Sequence, residues 1–506
     1  MTERLDVAVI GAGFGGLTAA ALAARSGLRV TLFEQHTRPG GCAGDFAMEG
    51  FTFPAGATVI TGLEPGGILR RVADAVGAPM PSVALDPSLV FHVEGRTVPY
   101  NAGHAAWRDT FARAFPDAGP GYARFWEWVR TTGGAVYEVG LALPSLPLHS
   151  LADVRRTLRA ARPGAFRALP ALFGTVAGVK ARLGAAGSPA ADALIDALLL
   201  DATGARAAEC SGVQGAIALD LYRRGCQWVE GGTGRLAMAL VRAIRAHGGN
   251  VRFRARVLHL APRRGGWELT LETGEVVHAR RVVANVPPRA LAHLRGERGT
   301  PTRDREARGA FVLHLGLDAS GLDPIHPFHQ VVNATGAALE EEGNNCLVSC
   351  FPARGDRWAL SVSTHTRAGS WRTVRTSCPP SPPPGRPSCL PSSPFPTPDA
   401  RRRALEDRLI DAVATVIPAV RERILLRRSA TPATFERFTL RPGGFVGGLI
   451  QRPSVTALRA ASHRPAAGLF LAGDSVFPGQ GIVGVALSGI NAYRDAIESL
   501  GRKAIL

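Results

Sequence analysis

The order of apolar and polar positions divides the chain into segments of two kinds. Leu5-Asp6-Val7-Ala8-Val9-Ile10 is an apolar run ending in glycines, the pattern of a strand buried on both faces of a parallel sheet. Leu17 to Ser26 is alanine-rich and followed by Gly27, which predicts a helix with a glycine stop. Leu28 to Glu34 predicts a second strand. Strand, helix and strand within about 30 residues make a βαβ unit.

From about residue 90 to 224 the pattern changes. Aromatic and arginine-rich stretches take helical spacing, as in Tyr122 to Val129 and Leu151 to Leu183. Leu141, Leu143, Leu146 and Leu148, punctuated by prolines, read either as domain core or as an apolar patch that meets lipid. Near Gln227 the first pattern returns. Gly231-Gly232 precedes a helical stretch from Arg235 to Ala246, Val251 to Leu260 alternates as a strand, and Trp267–Leu271 with Val276–Ala284 predicts a hairpin. Strands such as Ala310–Leu317 and Trp358–Ser363 follow. From about 446 the chain returns to a strand, a glycine-rich turn and a helix from Val485 to Ser499. This alternation predicts an α/β protein. Residues 1–85, 225–300 and 446–506 form a discontinuous Rossmann-like domain, and 86–224 with 301–445 form an inserted α+β substrate domain.

Pro379 to Pro398 holds ten prolines in twenty residues, so 372–398 is expected to be irregular. It reads as a linker, a ligand for a proline-binding partner, or a stretch of GC-rich codons read out of frame.

Gly11-Ala12-Gly13-Phe14-Gly15-Gly16 fits G-x-G-x-x-G between the predicted strand and helix. Gly11 permits the tight turn, Gly13 lets the backbone approach a pyrophosphate, and Gly16 lets helix pack on strand. The helix N-terminus offers free N–H groups to phosphate. Glu34, 18 residues after Gly16, stands where a carboxylate binds ribose hydroxyls. Two further features choose FAD over NAD. Arg38-Pro39-Gly40-Gly41 is a second glycine turn beside the cofactor. Gly468 to Asp474 is an apolar strand delivering Gly473 and Asp474, suited to a ribityl hydroxyl and the pyrophosphate. Pro478-Gly479-Gln480-Gly481-Ile482-Val483-Gly484 then leads into the last helix, whose N-terminus suits the charge of a reduced flavin.

Charge and cysteines add limits. The formal net charge of +18 is almost all arginine, with Lys180 and Lys503 the lysines. No block of like charge and no aromatic–basic interleaving marks a nucleic-acid face, which leaves solvated surface or an anionic lipid surface. Seven cysteines without a CxxC pair argue against a disulfide framework or zinc and fit a reducing cytoplasm. No apolar stretch of about 18 residues predicts a spanning helix. His326, His329 and His365 are titratable candidates, read first as structural or surface histidines; His326-x-x-His329 lacks a third ligand, so no metal is expected.

The fingerprint, Gly50-Phe51-Thr52-Phe53 with Gly56-Ala57-Thr58, the Gly231-Gly232 helix and the block Gly473-Asp474-Ser475 to Gly489 resemble the phytoene desaturase-type carotenoid oxidoreductases. Phe477-Pro478-Gly479-Gln480-Gly481 followed by Val485-Ala486-Leu487-Ser488-Gly489 is similar to the branch of carotenoid 3,4-desaturases and carotene cis–trans isomerases. The resemblance implies a glutathione reductase/amine oxidase-like fold and FAD contacts at Gly11, Gly13, Gly16, Glu34, Gly41 and Asp474, with the main chain near Val257 on the adenine side. It implies a long polyene substrate drawn from a membrane by a cytoplasmic protein docked peripherally on the inner face of the cell membrane. The implied reaction is desaturation of a lycopene-type or hydroxylated acyclic carotenoid, with isomerisation and a non-catalytic flavoprotein as rivals, and with oxygen or a quinone left open as electron acceptor. Pro54 departs from the pattern, where relatives often carry Asp, and Trp371 to Pro398 departs where relatives continue with a helical segment.

Overall fold

A computed structural model describes residues 4–144, 148, 151–160, 168–297, 308–352, 356–371, 398–448, 450–453 and 461–506. The proline-rich run 372–397, Leu146, Cys378 and Cys389 lie outside the described residues.

Seven strands form the first sheet. Their order is Val257–Arg263, Gly266–Leu271, Val276–Ala284, Leu5–Ile10, Val30–Phe33 and Asn250–Arg252, with Leu469–Leu471 also beside Val276–Ala284. Leu5–Ile10 runs parallel to both neighbours, and Leu469–Leu471 is parallel to its partner. The parallel strands carry near-continuous apolar runs because both faces are covered, Val7 and Val9 sharing a core with helices, and Ala8 and Ile10 one with Leu260, Trp267 and Leu269. The helix Phe14–Arg25 packs against Thr233–Ala246 and Ile482–Glu498 through its alanine-rich, almost wholly buried surface. The hairpin expected at Trp267–Leu271 and Val276–Ala284 is present, paired antiparallel.

One predicted strand is two. Val251 to Leu260 divides into Asn250–Arg252, parallel to Val30–Phe33, and Val257–Arg263, antiparallel to Gly266–Leu271. Between them Arg254 takes φ 53°. Its N–H donates to the His36 carbonyl, and the Ala255 N–H donates to that of Glu34. The chain thereby crosses the ends of the parallel strands to the opposite sheet edge, while the apolar alternation runs on unbroken through the bend.

The second sheet also has seven strands, ordered Ile424–Ala430, Arg308–Asp318, Arg357–Arg367, Asn345–Pro352, Phe328–Val332, Leu89–Val93 and Arg96–Tyr100. Arg308–Asp318 shows why it is two-sided. Phe311, Leu313, Leu315 and Leu317 enter a core with Leu409, Ile410 and Val413 of the helix Pro398–Ala414. Ala310, Val312 and His314, on the alternate positions, face a cavity instead. Helices Gly121–Leu141, Pro189–Thr203 and Gly212–Gly225 pack on the other end of this sheet around an aromatic cluster. Trp107 and Trp126 meet there edge to face at 5.1 Å, beside Tyr100 and Phe111.

The leucine run after residue 140 splits. Leu141 ends its helix half-buried and Leu143 is core, whereas Leu148 is exposed. Exposed Leu151, Leu158, Leu169 and Phe173 follow it. Among the described residues no helix is long and apolar enough to cross a membrane, and Cys42, Cys210, Cys226, Cys346 and Cys350 are free thiols.

Candidate functional site: a cavity between two sheets

A cavity of about 1310 Å³ lies between the sheets and is lined from both. Its first wall is the carboxyl end of the parallel strands, where open α/β sheets bind ligands. Gly11 follows the strand Leu5–Ile10 at φ +95°, and Gly13 caps the helix Phe14–Arg25, whose first N–H groups have no intrahelical partner. A Cβ on Gly13 would stand 2.5 Å from Asn285 Nδ2, filling the cradle between helix and strand end. Gly16 does not line the cavity. A Cβ there would lie 2.1 Å from the Gly11 carbonyl oxygen, so its role is to let helix and strand touch.

Glu34 is buried on the cavity wall. Its Oε2 accepts the Ala12 N–H at 2.7 Å and its Oε1 accepts the His36 N–H at 2.8 Å. Each oxygen keeps a second lone pair for a ligand hydroxyl. Gly40 sits alongside, donating its N–H to the Ala12 carbonyl, and Gly41 follows it on the wall. Arg38 lines the same rim and pairs with Asp45 at 2.7 Å. Val257 opens its strand at the cavity edge.

The C-terminal segment completes this wall. The strand Leu469–Leu471 delivers Gly473, whose N–H donates to Ser488 Oγ, and Asp474, whose Oδ2 accepts Arg441 Nη2 at 2.7 Å. Arg441 also donates to the Gly447 carbonyl. Burial opposes the Arg441 charge, but Asp474 more than offsets it and holds the guanidinium protonated. Gly481 caps the helix Ile482–Glu498 at the cavity edge. Val483 is the exception among the expected contacts. It does not line the cavity, because at the second position of the helix its side chain points at Gly62, next to Leu69.

The opposite wall belongs to the second sheet and to Phe46, Met48 and Leu347. It is mixed: Ala310, Val312 and Leu347 are apolar, whereas Ser363, Thr364 and Arg428 are polar. Its polar groups include Asp201, at the end of the helix Pro189–Thr203, and His365, joined at 2.7 Å. His314 bonds Ser361 between the rings of Phe46 and Phe53, and burial lowers its pKa to about 4. His326 and His329 are elsewhere. His326 Nδ1 accepts the Phe328 N–H at 3.1 Å, its Nε2 lies 2.8 Å from the Pro87 carbonyl, and His329 stacks on His92. No group of ligating side chains among the described residues could hold a metal.

The first wall fits a dinucleotide: a helix N-terminus, a cradle that a single Cβ would fill, and a two-lone-pair carboxylate stand in one file. The sequence did not point to Asn285, Arg441 or Asp201. Asn285 could have been found as the polar residue ending the apolar run Val276–Ala284. Arg441 and Asp201 come from distant segments with no signal of their own.

A family model described as flavin containing amine oxidoreductase matches residues 14–497. A chloroplastic prolycopene isomerase of Daucus carota is 24% identical over 99% of this chain and 81% of its own length. A lycopene-forming phytoene desaturase of Pantoea ananas is 28% identical over 61% of this chain and 63% of its own. A putrescine oxidase structure superposes with a TM-score of 0.63 at 15% identity, covering 99% of this chain and all of that one, a likeness of fold.

Proposed function

This chain belongs to the flavin-containing amine oxidoreductase family, and from that premise we propose that it is an FAD-dependent carotenoid desaturase that introduces a C=C bond into a lycopene-type or hydroxylated acyclic carotenoid, at the 3,4 position. FAD is its cofactor, and the reaction it supports is an oxidoreduction. The observation that carries the reading is the cavity itself, in which a cofactor wall faces a second wall where Phe46, Met48, Val312 and Leu347 form an apolar stretch beside polar Ser363, Thr364 and His365. Such a stretch suits a hydrocarbon, which offers nothing to hydrogen-bond and is held by burial of area.

Gly11, Gly13, Glu34, Gly40, Gly41, Gly473 and Asp474 would hold FAD, which when bound supplies a two-electron acceptor. The protein's part is to fix the polyene against it and exclude water, which is worth several kcal/mol when the bound geometry is near that of reaction.

A second reading, cis–trans isomerisation, is favoured by the prolycopene isomerase match, which spans nearly the whole chain. One experiment separates the two. Purified FAD-loaded protein is given lycopene, and separately a cis-carotene, with air or a soluble quinone as acceptor, and the pigments are analysed. Added conjugation supports desaturation, and an acceleration by quinone names the acceptor. A cis-carotene converted to its trans form with no new double bond, under reducing conditions, would overturn it. Bound flavin with no conversion of either would make the protein a non-catalytic binder.

We further propose that the substrate is taken from a membrane to which the protein binds peripherally on its cytoplasmic side. The helix Leu151–Ala160 supports this. Leu151, Arg155, Leu158 and Arg159 are exposed on one face, and Asp153 and Arg156 on the other are tied to Arg464 and Glu498. Exposed leucines interleaved with arginines suit an anionic lipid surface.

A further inference from the structure

The cavity wall opposite the cofactor residues carries a carboxylate with one oxygen open to the cavity. Asp201 closes the last turn of the helix Pro189–Thr203 and reaches across to the second sheet. Its Oδ1 accepts His365 Nε2 at 2.7 Å and Asn345 Nδ2 at 3.2 Å. Asn345 is oriented in turn, since its Oδ1 accepts Gln330 Nε2 at 2.5 Å. A carboxylate oxygen accepts, so His365 Nε2 is the donor in this bond. The other oxygen, Oδ2, has no protein partner among the described residues, and Asp201 lines the cavity. The side chain is 23% exposed, and its second oxygen is reachable from the cavity. Here one oxygen is engaged twice and the other is left to the cavity.

Its place along the cavity is also fixed. Gln480, beside the Gly481 cap of the last helix, accepts the Gly448 N–H and donates to the carbonyl of Ala202, the residue after Asp201. The turn at the cofactor wall and the backbone that carries the carboxylate are thus joined by one side chain.

We infer that Asp201 is the proton acceptor of the desaturation, with His365 the positioning residue that aims its free oxygen. The assignment rests on the desaturase reading and deepens it. FAD, held by Gly11, Gly13, Glu34 and Asp474, would supply the two-electron acceptor for a hydride from one sp³ carbon of the polyene. The neighbouring carbon gives its proton to Asp201 Oδ2, and the electron pair of that C–H bond becomes the new π bond. The hydrocarbon loses two electrons, for which the cofactor would be the acceptor, and the proton rests on the carboxyl group until product leaves. A general base contributes about 10²–10⁴-fold to such a step.

The test compares wild type with Asp201→Asn, His365→Phe and His365→Gln. It measures FAD content, polyene binding from the shift of the polyene's visible band, and kcat and KM for desaturation. D201N is expected to bind FAD and polyene as wild type does, with KM within about threefold and kcat lower by about 100-fold or more. H365F is expected to lower kcat by about tenfold at unchanged KM, and H365Q, which keeps a donor, to recover part of that loss. A D201N enzyme turning over within about threefold of wild type overturns the assignment. Should D201N fail to fold, the two His365 variants decide, and equal kcat in H365F and H365Q overturns it. Wild-type protein that binds FAD and polyene yet forms no new double bond overturns the desaturase reading, and this assignment with it.

Discussion

Arg441 and Asp474, 33 residues apart, form a partly buried ion pair that closes the cofactor wall where the C-terminal strand ends. Removing the guanidinium leaves the Asp474 carboxylate without its charge partner on the cavity wall, at a cost of about 1–3 kcal/mol. Arg441→Met is therefore expected to lower the midpoint of thermal unfolding and to weaken FAD binding by about 10–100-fold, read by flavin fluorescence on titration into apoprotein. Equal FAD affinity in R441M and wild type would separate the pair from the cofactor.

The glycine fingerprint makes two different demands, and substitution distinguishes them. A Cβ at Gly16 meets backbone, the Gly11 carbonyl at 2.1 Å, whereas a Cβ at Gly13 meets the end of the Asn285 side chain at 2.5 Å. Gly16→Ala should destabilise the fold by several kcal/mol, with no local rescue. Gly13→Ala should lose flavin, and adding Asn285→Ala should restore the stability of the apoprotein. Urea unfolding of the two single variants and the double variant measures the coupling. Additive effects of G13A and N285A would show that the new methyl group is accommodated without displacing Asn285.

Acid should destabilise the protein from the histidines of the second sheet. Burial lowers the pKa of His314 to about 4, and burial with neighbouring His92 and His326 lowers that of His329 to about 3. Both values lie below that of the unfolded chain, near 6.5, so the unfolded state takes up protons first as pH falls. Stability is full above about pH 6.5 and is lost progressively below it, by about 2 kcal/mol per histidine at pH 5. Chemical denaturation between pH 7.5 and 5 measures the slope, and His329→Gln should flatten it. A pH-independent midpoint over that range counts against the buried neutral state of both rings.

Membrane binding is expected to reside in the helix Leu151–Ala160 and its neighbours. Leu158→Glu with Phe173→Glu should abolish co-sedimentation with vesicles containing anionic lipid and leave flavin content unchanged, because both side chains are exposed and remote from the cavity lining. Raised salt should weaken the wild-type interaction, as arginines meet lipid phosphate. Equal sedimentation of the double variant would remove this face from consideration.

The fingerprint and the last helix were legible because each follows from local rules: an apolar run, glycines where backbone must approach, and a helix behind. Glu34 and Asp474 were legible for the same reason, each ending a strand. Their partners were not. Arg441 reaches Asp474 from a connecting segment, and Asp201 meets His365 only because a helix of one layer ends over a strand of another. The break at Arg254 was hidden because side-chain alternation reports which face is buried and is silent on which neighbour a strand pairs with. Val483 was misplaced by reasoning from sequence proximity to Gly481, whereas one step along a helix turns a side chain by about 100°.

The bonds of Gln480 have a consequence for the order of events. One amide holds both the loop at Gly448, on the cofactor wall, and the end of the helix that reaches the substrate wall. Ligand that orders the first also orders the second, so part of the entropy of shaping the hydrocarbon's berth is met when the flavin arrives. Loading is then sequential, flavin before polyene. Amide hydrogens near residues 198–203 should exchange more slowly in flavin-loaded protein than in apoprotein, before any hydrocarbon is present.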